Sequence, residues 1–122
     1  MGFCSTFYVM AGKDLKRPKD IQVEKFDTFK NKSFDTYEKT KDLKAVVDDD
    51  KELSAEQVAG LATMKKDIEA LIKKGEQILK EAKDIKPKTK SLKAITNTKK
   101  SIEALNTSLK YLNYISEKIA AK

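Results

Sequence analysis

The chain has 122 residues, enough for one compact domain, and carries a net charge of +7 from 26 basic and 19 acidic residues. It contains no histidine and one cysteine, which excludes an imidazole-based catalytic triad, an imidazole-based metal site and an internal disulfide framework. Only four glycines are present, and no pair of carboxylates stands at a catalytic spacing. The composition therefore predicts a non-catalytic protein that uses no metal and no cofactor.

The first long helix is predicted to begin at Pro18, because a proline in the first turn gives up an N–H that would lack an intrahelical partner anyway. At about 100° per residue, the residues that follow place an apolar stripe on one helical face. This stripe consists of Val23, Phe26, Phe29, Ser33, Phe34, Tyr37, Thr40 and Val47. It ends at the acidic run 48–50, which is predicted to be a loop rather than a calcium site, since it lacks the alternating spacing and the glycine of such sites.

The second helix is predicted to begin with a capping box, in which Ser54 is the N-cap and Gln57 stands three residues later. Apolar residues recur at three-four spacing as far as Ile85. Pro87 is predicted to end the helix, because the residue before a proline is pushed out of the α region. Gly75 falls on the buried seam, where a close approach of two helices would offset the helix-propensity cost of a glycine, which is about 1 kcal/mol.

The third helix is predicted to run from near Ser91 to the C-terminus, with a kink or a delayed start at the poor helix formers 96–98. Three amphipathic segments of roughly 30 residues, joined by two short connections, predict an all-α fold. The expected architecture is an up-down-up antiparallel bundle of three long amphipathic helices with coiled-coil-like packing over residues 18–122, after an N-terminal segment or lipid tether at residues 1–17. An alternative is a hairpin of the second and third helices that dimerises, with the first helix docked loosely.

The positive charge is concentrated in the last third of the chain. Up to Ile85 there are 17 basic and 17 acidic residues. From Lys86 onward there are nine lysines and only two acidic residues, both glutamates. Six of these lysines, here called the lysine patch, surround the turn into the third helix: Lys86, Lys88, Lys90, Lys93, Lys99 and Lys100. The patch is predicted either to face phospholipid head groups, lipopolysaccharide or nucleic acid, or to be a solvated surface. Nucleic acid is less favoured, because Arg17 is the only arginine and most aromatic residues fall on core faces.

Cys4 is the candidate for lipidation. Residues 1–6 match the N-myristoylation pattern at Gly2, which would make Cys4 a palmitoyl site and a second anchor. Cys4 can also be a small buried hydrophobe in a short N-terminal helix. A further alternative is that residues 3–11 are the remnant of a secretory signal, with a small-x-small cleavage site at 9–11.

The stretch from Cys4 to Ile21 resembles the mature N-terminus of small bacterial helical envelope lipoproteins. The resemblance is carried by Cys4-Ser5-x-x-Tyr8, by Lys16-Arg17 and by the helical, lysine-rich sequence that follows. It implies a diacylglyceryl group on Cys4, a leader upstream of Met1 and sorting to the outer membrane through Ser5.

These features predict a small helical protein, envelope-associated or a scaffold, that binds a protein partner or a second copy of itself through its helix faces. With a lipid on Cys4, it is expected at the periplasmic face of a bacterial envelope. Its tether and the lysine patch would then share one end of the bundle, against an anionic membrane surface. Without the lipid it is expected in the cytoplasm. The alternative function is that of a soluble basic protein that binds nucleic acid through its lysine-rich third helix.

Overall fold

A computed structural model describes residues 15–121, and in that range the chain forms three long α-helices and no strand. Helix α1 spans Glu24–Asp48, α2 spans Ala55–Ala82 and α3 spans Lys88–Ala120. Short connections at opposite ends of the bundle join them, so the helices run up, down and up. The predicted all-α bundle of three antiparallel helices is confirmed.

The central element is α3, because α1 and α2 each pack mainly against it and touch one another less. Small buried residues, among them Ala94, Ser101, Ala104 and Ser108, let the neighbouring helices approach closely. The hydroxyls of Ser101 and Ser108 each donate to the carbonyl four residues earlier at 2.8 Å, so these polar groups are satisfied inside the core. The predicted aromatic core of α1 is confirmed, and its members are Phe26, Phe29, Phe34 and Tyr37.

Gly75 lies at a close crossing of all three helices. A Cβ at this position would come within 2.6 Å of Phe29 Cζ on α1 and 2.9 Å of Ile102 Cγ1 on α3. The predicted seam position of Gly75 is therefore confirmed, and the glycine is required by space. Gly60, nearer the start of α2, has nothing within 4 Å of its Cβ position.

The predicted capping box of α2 is confirmed, since the Gln57 N–H donates to Ser54 Oγ and the Ser54 N–H donates to Gln57 Oε1. The other end of α2 differs from the prediction, because the helix stops at Ala82. Ser91 Oγ donates to the Ala82 carbonyl at 2.6 Å and satisfies that helix end. Pro87 serves instead as the N-cap residue of α3, which begins three residues earlier than Ser91.

The predicted delayed start at residues 96–98 is wrong, because α3 is one continuous helix from Lys88 to Ala120. Asn97 and Thr98 are buried. Asn97 Nδ2 donates to the backbone carbonyl of Lys19 at 2.9 Å. Tertiary packing and this hydrogen bond override the low helix propensity of the segment.

The predicted helix start at Pro18 is also wrong, because α1 begins six residues later, at Glu24. Residues 15–23, here called the strap, form no helix and lie against α1 and α3. The Asp27 carboxylate accepts the N–H groups of Ile21 at 2.8 Å and Gln22 at 3.0 Å, and Gln22 has a φ of 67°. This turn leads the chain from the strap into α1.

A buried lysine fixes the strap. The side chain of Lys30 is 2% exposed, and its Nζ donates to the Pro18 carbonyl at 2.8 Å and to the Asp20 carboxylate. Ile21 of the strap joins the hydrophobic core. The Arg17 guanidinium binds Asp35 of α1 at 2.7 Å, and it also reaches Glu38. The strap is thus held by specific polar contacts along its length.

Candidate anion-binding surface

The six lysines of the lysine patch lie in the turn before α3 and in its first turns. Five of them are exposed, and Lys90 is half-buried. Among residues 15–121, no carboxylate forms an ion pair with any of the six. Lys25, Lys30 and Lys44 each pair with an acidic side chain, whereas other exposed lysines, such as Lys65 and Lys73 of α2, form no ion pair with the described residues either. The charge of the patch is therefore uncompensated by direct contacts.

The patch does not form a single face of α3. At about 100° per residue, Lys88 and Lys99 project within about 40° of Leu92, on the side of α3 opposite the core. Lys93 and Lys100 lie together, about 80° to 100° further round the helix. Lys90 projects about 160° from Leu92, toward the side of α3 that faces the core, and it is the half-buried member of the patch. The outer face of α3 is therefore formed by Lys88, Leu92, Lys93, Lys99 and Lys100, and no acidic residue interrupts α3 before Glu103.

An exposed leucine lies at the centre of this outer face. Leu92 is 55% exposed, and only Val58 at 41% is comparable among the large hydrophobic residues that the structure describes. The apolar pattern of the third helix predicts that Leu92 extends the core stripe, and its exposure shows that this prediction is wrong. The exposure of Leu92 could have been predicted from its helical projection, which is about 180° from that of the buried Ser101.

Two acidic groups near this end of the bundle pair with lysines outside the patch. Glu81 accepts a hydrogen bond from Lys25 at 2.5 Å, which also ties the end of α2 to the start of α1. Asp20 accepts from Lys30, and this hydrogen bond holds the pKa of Asp20 below its ordinary value. These two carboxylates are paired with Lys25 and Lys30, and not with the lysine patch.

A second polar cluster, at the opposite end of the bundle, joins α1 to α3. The Tyr114 hydroxyl donates to Asp48 Oδ1 at 2.5 Å, and this hydrogen bond raises the pKa of Tyr114 to about 12. Partial burial opposes ionisation of Asp48, but hydrogen bonds from Lys44 and Tyr114 outweigh it and lower the pKa of Asp48. Lys44 Nζ also lies 5.1 Å from the Tyr114 ring centroid. The side chains satisfy one another, which makes this cluster a structural clamp.

The geometry predicted for the lipid tether needs a correction. Cys4 lies outside the described residues. The last residues of the predicted tether do not lie at the end that carries the patch, because the Leu15 N–H donates to Tyr37 Oη at 3.2 Å. Tyr37 is about 20 Å along α1 from Glu24, at a rise of 1.5 Å per residue. The strap therefore begins in the middle of the bundle and leads toward the patch.

No helix between residues 15 and 121 is long and apolar enough to span a membrane. The same residues contain no cluster of three or more acidic or cysteine side chains able to hold a metal ion. Comparison with protein-family models, with curated proteins and with solved structures returned no match. The geometry of the outer face of α3 is thus the basis for a functional proposal.

Proposed function

We propose that this protein is a non-catalytic, envelope-associated helical scaffold that holds the outer face of α3 against an anionic surface. The observation that carries the proposal is the set of exposed lysines on this face, none of which pairs with a carboxylate in the described range. Lys88 lies in the first turn of α3, where a positive charge opposes the helix dipole, so stability alone does not account for it. An external anionic partner would account for the exposed lysines of this face.

The expected strength of this attachment is modest and salt-dependent. Each lysine near an anionic membrane contributes about 1 kcal/mol, so the four lysines of the outer face contribute roughly 4 kcal/mol. The contribution falls as salt screens exposed charges. Attachment of this kind is reversible, and stable anchoring takes a second signal such as an acyl chain.

Cys4 is the proposed second signal. The eleven residues from Cys4 to Leu15 can span about 36 Å when fully extended, more than the roughly 20 Å between Leu15 and the end that carries the patch. An acyl group on Cys4 could therefore act at the same membrane as the patch. An intact mass of the protein from its native cells that includes an acyl group would support this anchor, and an unmodified mass would remove it. If that group is a diacylglyceryl group on Cys4, the proposed location is the periplasmic face of a bacterial envelope.

The vesicle test uses the full, unacylated chain. We expect it to bind vesicles that contain phosphatidylglycerol, to bind phosphatidylcholine vesicles far more weakly, and to lose most of its binding when salt is raised from low to high concentration. Co-sedimentation measures all three. Equal binding to both kinds of vesicle, or no binding to either, would contradict the proposal.

Nucleic acid and protein partners are separate outcomes. Salt-dependent binding to duplex or single-stranded DNA, without binding to vesicles, would support the alternative function as a nucleic-acid-binding protein. Binding of a protein partner, or of a second copy of the chain, through the helix faces stays a prediction that size-exclusion chromatography with light scattering can test.

A further inference from the structure

We infer that Leu92 is an apolar insertion point, and that the anionic surface bound by the outer face of α3 is a lipid bilayer. This inference rests on the proposed function, because it names the partner of the same face. Leu92 is the most exposed of the large hydrophobic side chains that the structure describes. It lies between Lys88 and Lys99 along the axis of α3, within about 40° of both in projection and directed away from the core.

The direction of the leucine side chain fits a surface near the α2–α3 end, which is the end of the bundle where residues 83–87 connect α2 to α3. Side chains on a helix lean toward its N-terminus, and the N-terminus of α3 is at that end. Leu92 lies only four residues after Lys88, the first residue of α3. A planar surface against the first turns of α3 would therefore meet the leucine together with the surrounding ammonium groups.

The combination of leucine and lysine selects a bilayer over other polyanions. Lysine keeps its ammonium group among phosphates while its alkyl stem lies along apolar material, and the leucine between the lysines can enter the acyl boundary. A nucleic acid offers phosphates to the lysines, but it offers no hydrocarbon layer to Leu92. A bilayer with anionic head groups satisfies both kinds of side chain.

A single tryptophan provides the direct test, because the chain contains none. In the Leu92→Trp variant, we expect the emission to shift to shorter wavelength on phosphatidylglycerol vesicles and to be quenched by lipids brominated on their acyl chains. The matched control is Val58→Trp, which places the fluorophore at the start of α2, near the opposite end of the bundle. The control should show neither effect, since Val58 lies beside Lys118 and Ile119, far along the bundle from Leu92.

The Leu92→Gln variant tests the contribution to affinity. Partial burial of one leucine is expected to account for roughly a tenfold difference in affinity for anionic vesicles. The salt dependence should be unchanged, because the lysines are kept. The position is exposed, so we expect helicity by circular dichroism to match that of the unmodified chain.

The outcomes separate the two levels of the proposal. If the unmodified chain binds anionic vesicles but the emission of Leu92→Trp does not shift and Leu92→Gln binds equally well, the insertion point is overturned while the proposed function stands. If the unmodified chain binds no anionic vesicles, both fail. If the emission of Val58→Trp shifts as much as that of Leu92→Trp, the orientation is overturned.

Discussion

Replacing Gly75 with valine is expected to lower the free energy of unfolding by roughly 2–3 kcal/mol, because the added methyl groups have no space. The Cβ alone would lie 2.6 Å from the Cζ of Phe29, a ring that is 2% exposed and rigidly packed. Ile102 closes the other side at 2.9 Å. The helices must therefore separate or the ring must shift, and the better helix propensity of the new residue recovers at most about 1 kcal/mol. Urea unfolding measured by circular dichroism gives the difference.

Gly60→Ala is the matched control in the same helix. No atom lies within 4 Å of its Cβ position, so the alanine adds helix propensity without a clash. We expect a gain of about 0.5–1 kcal/mol. The two glycines should thus respond with opposite signs. A Gly75→Val variant as stable as the unmodified chain would show that the three helices do not cross closely at this point.

Replacing Lys30 with alanine is expected to lower the free energy of unfolding by about 2–4 kcal/mol, since it leaves a cavity and deprives the Pro18 carbonyl of its donor. Lys30→Met keeps most of the buried volume, and we expect it to be less destabilising. Both variants remove the hydrogen bonds from Lys30 to the strap, which we expect to loosen the strap around Pro18 and Asp20. Amide hydrogen exchange measures this release, because the N–H groups of Ile21 and Gln22 are protected by Asp27 only while the strap is docked.

The hydrogen bond between Lys30 and Asp20 of the strap should make stability depend on pH in the acid range. The folded-state pKa of Asp20 is lowered from 3.8 by the hydrogen bond from Lys30, so its contribution to stability is present above pH 3.8 and is lost as the pH falls through the lower folded-state value. Asp20→Asn should remove this part of the acid dependence and speed exchange at Ile21. Slow exchange in Lys30→Met and in Asp20→Asn alike would contradict the role assigned to the buried lysine.

Local pattern was sufficient to predict the helices and much of the core. Apolar spacing placed Phe29 and Tyr37 in the core, and the capping box at Ser54 depends on residues three apart in the chain. The seam position of Gly75 followed from the same periodicity. Each of these features is set within one helix, so the sequence carries it directly.

The strap could not be predicted in this way, because long-range contacts determine it. Lys30 belongs to a strongly charged segment and gives no sign that it is buried. Its partners lie in a stretch that begins with Pro18, which is typical of a helix start. Asn97 reaches Lys19 across 78 residues of the chain. Only the packed bundle brings these groups together.

The candidate surface was predicted in part. A run of lysines is visible in the sequence, but its members do not all project from the same side of the helix. Lys90 is turned toward the core side, about 160° from Leu92. Leu92 was grouped with the apolar residues of the third helix, although it projects away from the core. The start of α3 at Lys88 rather than near Ser91 extends the regular helix under Lys88 and Leu92 and fixes their side-by-side arrangement.

The measurement that tests the central claim most directly compares two variants with the same net charge on anionic vesicles. One replaces Lys88, Lys93, Lys99 and Lys100 of the outer face with glutamine. The other replaces four exposed lysines of α2 with glutamine as well: Lys65, Lys66, Lys73 and Lys74. We predict that the first variant binds phosphatidylglycerol vesicles roughly 30- to 1000-fold more weakly than the unmodified chain, and that the second changes by less than about fivefold. Equal losses in the two variants would mean that overall charge, and not the outer face of α3, attaches this protein to its surface.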